Sequence, residues 1–356
     1  MSRAAAAAAA PARLPRGHRP VLIVLVNAEE EFDWDAGFDR RATSVSAMAD
    51  VEQAQRIFDE YGIRPTYVVD YPVATQPAGA APLRAIAQSG RACIGAHLHP
   101  WVTPPHDEAL GAANSFPGNL PPELEAAKLR ATVEAIERGV GVRPRVYQAG
   151  RYGIGPNTPE LLRQEGFLVD LSVSPPYDYS AEGGPDFSSQ GCEPFWLEAP
   201  RGSNGTAATG AGGAGSAGEP LLAVPLAGAW VGFAGGASRA LHALASAPSL
   251  QWARLPGLLS RAGAVSRLRL SPEGFDHADH VRLTCDLLAR GVRTFVYSFH
   301  APSLKPGCTQ YVRNDDDLRA FLDRMRRYFD FFLGELGGAA LTPLELRERM
   351  LPASAP

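Results

Sequence analysis

The chain has no excess of positive charge. It carries 34 lysines and arginines against 38 acidic residues, a formal net charge of −4 over 356 residues. That balance argues against nucleic acid and anionic membrane surfaces as partners, because both demand a basic surplus. Long hydrophobic runs are missing too, and nothing approaches the roughly 18 apolar residues of a bilayer span. Cysteine is scarce: Cys93, Cys192, Cys285 and Cys308 stand far apart with no C-x-x-C pair. They read as reduced, buried thiols, not as a disulfide framework or a thiolate metal site. Walker-type loops and the G-x-S-x-G elbow of serine hydrolases do not occur. A metabolic-type protein remains, expected in the cytoplasm.

Residues 1–19 are rich in alanine and arginine. The run Ala4–Ala10 is weak as an export signal and no cleavage site follows it, so a disordered leader is expected. A single domain is expected over 20–345, with 346–356 as a tail. Val21–Val26 (VLIVLV) is apolar at every position, the pattern of a central parallel strand buried on both faces. Further strands are expected at Pro65–Val69, Ala92–Gly95, Arg145–Gln148, Val169–Val173 and Arg293–Phe299. Helices are expected at Met48–Tyr61, Pro82–Ser89, Leu120–Gly139, Thr158–Glu165, His277–Ala289 and Asp315–Leu336. Strands alternating with helices imply βαβ units around a mainly parallel sheet, and six or more units favour a barrel. Gly202–Gly218 holds seven glycines and no large apolar side chain. It is expected as a flexible insertion within the one domain.

Four polar clusters follow expected strands. Asn27–Trp34 (NAEEEFDW) groups carboxylates at a strand's C-terminal end, which suits metal binding or acid–base work, or merely a solvated loop. Gly95–Trp101 (GAHLHPW) contains His97 and His99, able to reach one cation if the loop kinks, in a chain with only eight histidines. Two imidazoles with one carboxylate make an open site for zinc and similar ions. Gly150–Gly155 (GRYGIG) lacks the dinucleotide-binding spacing, and its Arg151 could orient a carboxylate. Ser298–Ser303 (SFHAPS) offers His300 as a general acid.

Taken in order, these phrases resemble the polysaccharide deacetylase (NodB-homology) superfamily, most of all its WalW-type members. The matching stretches are EEEFDW (29–34), GAHLHPWVTPP (95–105), PGNLP (117–121), GRYGIGPNT (150–158), RLSPEG (269–274) and SFHAPSLKPG with YVR (298–313). The resemblance implies a distorted (β/α) barrel, often of seven strands, and metal-dependent removal of acetyl groups from N-acetylated sugars. It implies one divalent ion, most simply zinc, held by Glu29, His97 and His99. Arg151 would orient the base, and His300 would be the general acid.

Two departures stand out. Asn27 occupies the place of the family's catalytic aspartate, and a neutral amide cannot take a proton from water. Glu30, Glu31 or Asp33 would then substitute, or activity would be weak or absent. The residue four after His97 is Trp101, where many members carry the second histidine, so His106 or Glu108 could complete the shell. Competing expectations are a catalytically silent barrel that binds glycan or metal, and an amidohydrolase for a non-sugar carbon–nitrogen bond. Trp34, Trp101, Tyr152 and Trp230 are candidates to stack on a sugar face, or to pack as ordinary core.

Overall fold

The computed structural model describes residues 9–14, 17–33, 36–197, 219–232 and 265–351. The glycine-rich insertion and Trp34 lie outside them. The strands are β1 (Ala9–Pro11), β2 (Val21–Ala28), β3 (Thr66–Val69), β4 (Cys93–Leu98), β5 (Val146–Ala149), β6 (Val169–Asp170), β7 (Phe195–Leu197), β8 (Leu221–Ala223), β9 (Gly228–Val231), β10 (Ser266–Arg269), β11 (Thr294–His300) and β12 (Ala339–Ala340). The helices are α1 (Val51–Glu60), α2 (Tyr71–Thr75), α3 (Pro77–Gln88), α4 (Pro122–Gly139), α5 (Thr158–Gln164), α6 (His277–Ala289), α7 (Asp315–Phe329) and α8 (Pro343–Met350).

The main sheet runs in the order β1-β7-β8-β6-β5-β4-β3-β2-β11. From β8 to β11 every neighbouring pair is parallel. This is the mixed α/β architecture that the alternation implies. No strand ladder joins β11 back to β8 among the described residues. The antiparallel β9–β10 ribbon spans that side, Ser298 donating to Leu270 O (3.1 Å) and Leu270 donating to Ala227 O (2.9 Å).

Period-two alternation decides what the sheet presents to each side. Along β2, Leu22, Val24, Val26 and Ala28 belong to the core packed under the helices, whereas Val21, Ile23 and Leu25 belong to a second core inside the curved sheet. Inner-core Val146 and Val296 do the same on β5 and β11. Followed upward, that inner face turns polar at the strands' C-terminal ends: Asn27 after Leu25, Gln148 after Val146, Ser298 and His300 after Val296. On β4, Ile94, Ala96 and Leu98 pack outward, leaving Gly95, His97 and then His99 for the inner register. Gly95 is required there, since a Cβ would stand 2.7 Å from Val146 O.

The structure departs from expectation in several places. Ala9–Pro11, within the segment read as a leader, pairs antiparallel with Phe195–Leu197, and Ala12 is buried. Residues 346–350 of the segment read as a tail belong to α8, which starts before 346 on a Thr342–Glu345 capping box and buries Leu346. Helix α3 begins at Pro77 and carries Pro82 within it. The last long helix changes at Asp330 into a π-helical turn. Of the four free cysteines only Cys192 is buried, and Cys285 is exposed. No described helix is long and apolar enough to cross a membrane.

Candidate metal centre

Glu29 sits one residue beyond β2, His97 is the penultimate residue of β4, and His99 follows its end. Their ligand atoms converge: Glu29 Oε2 lies 3.2 Å from His97 Nε2 and 3.7 Å from His99 Nε2. All three side chains are buried, and they form one of two groups among the described residues with metal-holding geometry. The other is Glu30, Asp70 and His99, directly behind it.

Each imidazole is fixed from behind. His97 Nδ1 lies 2.9 Å from Gln148 O. A carbonyl oxygen only accepts, so Nδ1 carries the proton and Nε2 of the neutral ring is a lone pair. His99 Nδ1 meets Glu30 Oε2 at 2.8 Å. Glu30 in turn receives support from Asp70, whose Oδ2 accepts from the Glu30 amide (2.7 Å) while Oδ1 caps α2 through Val73 N–H. Carboxylate and carbonyl partners on the rear nitrogen are the usual means of aiming a ligating histidine. Trp101 stacks on the His99 ring at 4.3 Å and is itself clamped by Phe32 and Phe38.

The electrostatics match this division. Burial opposes ionisation of Glu29, but His300 first, then His97 and His99, hold its carboxyl down at about 2. Burial keeps His97 and His99 below the ordinary imidazole value, hence neutral. Glu30 is pushed up to about 7, chiefly by burial, and Asp70 well above the carboxylate range by burial and by Glu30. Two neutral imidazole lone pairs thus face an ionised carboxylate. Acceptors crowded on acceptors need a positive centre between them, and one carboxylate oxygen with two imidazole nitrogens is a donor set suited to a divalent ion.

His300 ends β11. Its Nε2 stands 4.0 Å from Glu29 Oε1, and its Nδ1 lies 2.7 Å from Glu273 Oε2. Glu273 also accepts from the His300 amide and from Ser303 Oγ. Burial alone would lower the imidazole, but Glu273 and then Glu29 outweigh it and raise His300 to about 9. Asn27 lies in register with His300 and donates from Nδ2 to Gln148 Oε1 (2.8 Å). Gln148 Nε2 is engaged with Leu171 O.

Arg151 lies on a strained turn, with φ of 52° there and 60° at Tyr152. Left-handed backbone costs a non-glycine residue roughly 1–2 kcal/mol. The guanidinium donates to Ser115 Oγ (2.6 Å) and to Glu182, and lies over Phe116 at 4.3 Å.

The alternatives left open by the residues now separate. Glu31 is spent on Ser44, Ser46 and the Ala47 amide. Glu108 pairs with buried Lys128 at 3.0 Å, and neither it nor His106 belongs to a metal-holding group. Trp101 is core packing behind His99, only 1 % exposed. Asp70, Gln148 and Glu273 were not singled out from sequence. Asp70 directly follows β3 and Gln148 lies near the end of β5, whereas Glu273 lies in the RLSPEG phrase, four residues beyond β10.

No known family profile and no curated protein matches the chain. Solved structures do. A Mycobacterium smegmatis protein described as a polysaccharide deacetylase aligns over 98% of this chain and 97% of its own, with 18% identity and a TM-score of 0.52. The Puue allantoinase aligns over 95% and 92%, with 14% identity and a TM-score of 0.51. The chain shares their fold. At such identities the likeness extends to architecture, and the chemistry must be argued from the site.

Proposed function

We propose that the protein is a metal-dependent hydrolase that removes an N-acetyl group from a carbohydrate. The observation that carries this reading is the convergence of Glu29, His97 and His99, each histidine aimed by a rear partner, with His300 beside them. It is supported by the two fold relatives, described as a deacetylase and an allantoinase. Glu29, His97 and His99 would hold one divalent ion, for which zinc is the simplest choice. Such an ion polarises an amide carbonyl and lowers the pKa of water. We also read the sheet as a distorted seven-strand barrel, β8 to β11, closed loosely through the β9–β10 ribbon.

The chain's own residues then divide the work. Water adds to the acyl carbon and releases its proton to solvent, and His300 delivers a proton from Nε2 to the leaving nitrogen as the carbon–nitrogen bond breaks. Glu273 holds the ring in orientation and stabilises its charged form. Arg151 acts as a positioning residue on the wall formed by Ser115 and Phe116. Asn27 can accept a hydrogen bond from water but cannot take its proton. Acetate release from N-acetylated oligosaccharides by zinc-loaded protein tests the reading, and release of acetate is expected. Metal uptake without release from any acetylated sugar would sink it.

One observation favours a second reading, a silent or slow barrel. Asn27 is committed to Gln148 as an amide–amide pair, so an aspartate there would face Gln148 Oε1. Asn27→Asp is expected to raise acetate release if the missing base alone limits the rate. It should also destabilise the fold by about 1–3 kcal/mol, the usual cost of an unmet buried polar group. Thermal denaturation checks that cost.

A further inference from the structure

Strand β10 carries Arg267 and Arg269 two residues apart, on the face opposite core residue Leu268. Arg269 donates from Nη1 to Tyr152 Oη (2.9 Å) and from Nη2 to Ser174 Oγ (2.7 Å) and Tyr179 Oη (3.0 Å). Its Nε is buried without an acceptor. Both guanidinium groups lie on the ring of Tyr177, at 4.2 Å for Arg269 and 4.3 Å for Arg267. Among the described residues neither arginine has a carboxylate within ion-pair distance. Neutral hydroxyls and aromatic faces hold the two cations, and no described carboxylate is paired with either.

Carboxylates are close by but already engaged. Glu273 serves His300 and Ser303, and Glu182 serves Arg151. The arginines stand near the metal centre: Arg269 is bonded to Tyr152, the neighbour of Arg151, and lies within electrostatic reach of His300. Tyr311, 42% exposed, lies against Gly274 next to Glu273. Tyrosine faces suit the apolar side of a sugar ring, and a guanidinium fork suits a carboxylate or phosphate. A half-buried cation lacking a counter-charge is costly until a ligand supplies one.

We propose that Arg269, with Arg267 beside it, receives an anionic group carried by the substrate, so that the molecule hydrolysed is an acidic N-acyl saccharide. This rests on the deacetylase reading for the word saccharide, while the anion site stands on the arginines alone.

Calorimetry on the zinc-loaded protein tests it with three probes: neutral chitotetraose, a hyaluronan tetrasaccharide carrying carboxylates, and N-acetylglucosamine 1-phosphate. At low salt, one anionic probe is expected to bind at least about tenfold tighter than chitotetraose, and which one wins identifies carboxylate or phosphate. Arg269→Gln should erase that preference and Arg267→Gln should reduce it about threefold, both judged on protein whose circular dichroism is unchanged. If Arg269→Gln does not fold, Arg267→Gln decides. Equal binding of neutral and anionic probes, no binding of either anionic probe, or a preference that survives in the folded variants would overturn the proposal. Acetate release from chitotetraose without anion preference would end this inference and leave the deacetylase reading standing. Anion preference without acetate release would do the reverse.

Discussion

His97 and His280 are both almost completely sequestered from water, yet they behave as opposites. His280, on α6, gives Nε2 to Ser271 O at 2.7 Å and packs its ring edge-on against Tyr297 and Tyr328. Among the described residues it belongs to no metal-holding group, and burial lowers it to about 4. His97 spends the rear nitrogen on a carbonyl and turns the other toward Glu29 and His99. Burial therefore does not mark a functional histidine. Convergence of free lone pairs does.

The comparison breaks most readily at His97. His97→Ala should take up no zinc while remaining folded, measured by elemental analysis and circular dichroism after reloading. Retained metal would remove His97 from the shell. Next comes His300, where the alanine variant should keep its metal and lose about 10²–10⁴-fold in acetate release. A pH signature accompanies it. In ion-free protein the His300 imidazole is raised from 6.5 to about 9, so its stabilisation is full below pH 6.5 and lost as pH rises through about 9. Wild-type melting temperature should fall across that window, and His300→Ala should fall less. A parallel decline in both would reject the Glu273–His300 pair as its source.

Glu30→Gln sharpens the comparison from behind. Losing the carboxylate that aims His99 should weaken metal affinity by about 10–100-fold in a chelator competition. The smallest effect at the centre belongs to His280→Ala. It should lower stability by about 2–4 kcal/mol through a cavity and an unmet carbonyl, with metal stoichiometry untouched.

How much of this could be read from residues alone follows the same physics. VLIVLV declares its strand because every position is apolar, and β2 indeed runs from Val21 to Ala28. The pair His97 and His99 was legible because two scarce residues share a strand end. Asp70 was not, since one carboxylate after TYVV looks like any helix cap, and it does cap α2. Gln148 was hidden for another reason: its backbone carbonyl holds His97, and backbone leaves no mark in sequence. Trp101 was ambiguous between sugar platform and core because only packing against Phe32 and Phe38 separates the two. Strands β7 to β10 are three or four residues long, too short for periodicity to show.

The central claim is that Glu29, His97 and His99 hold a divalent ion. Elemental analysis of purified wild-type protein, reloaded with zinc and then desalted, tests it most directly. One ion per chain is the predicted result. A protein that folds and retains no ion would contradict the site described.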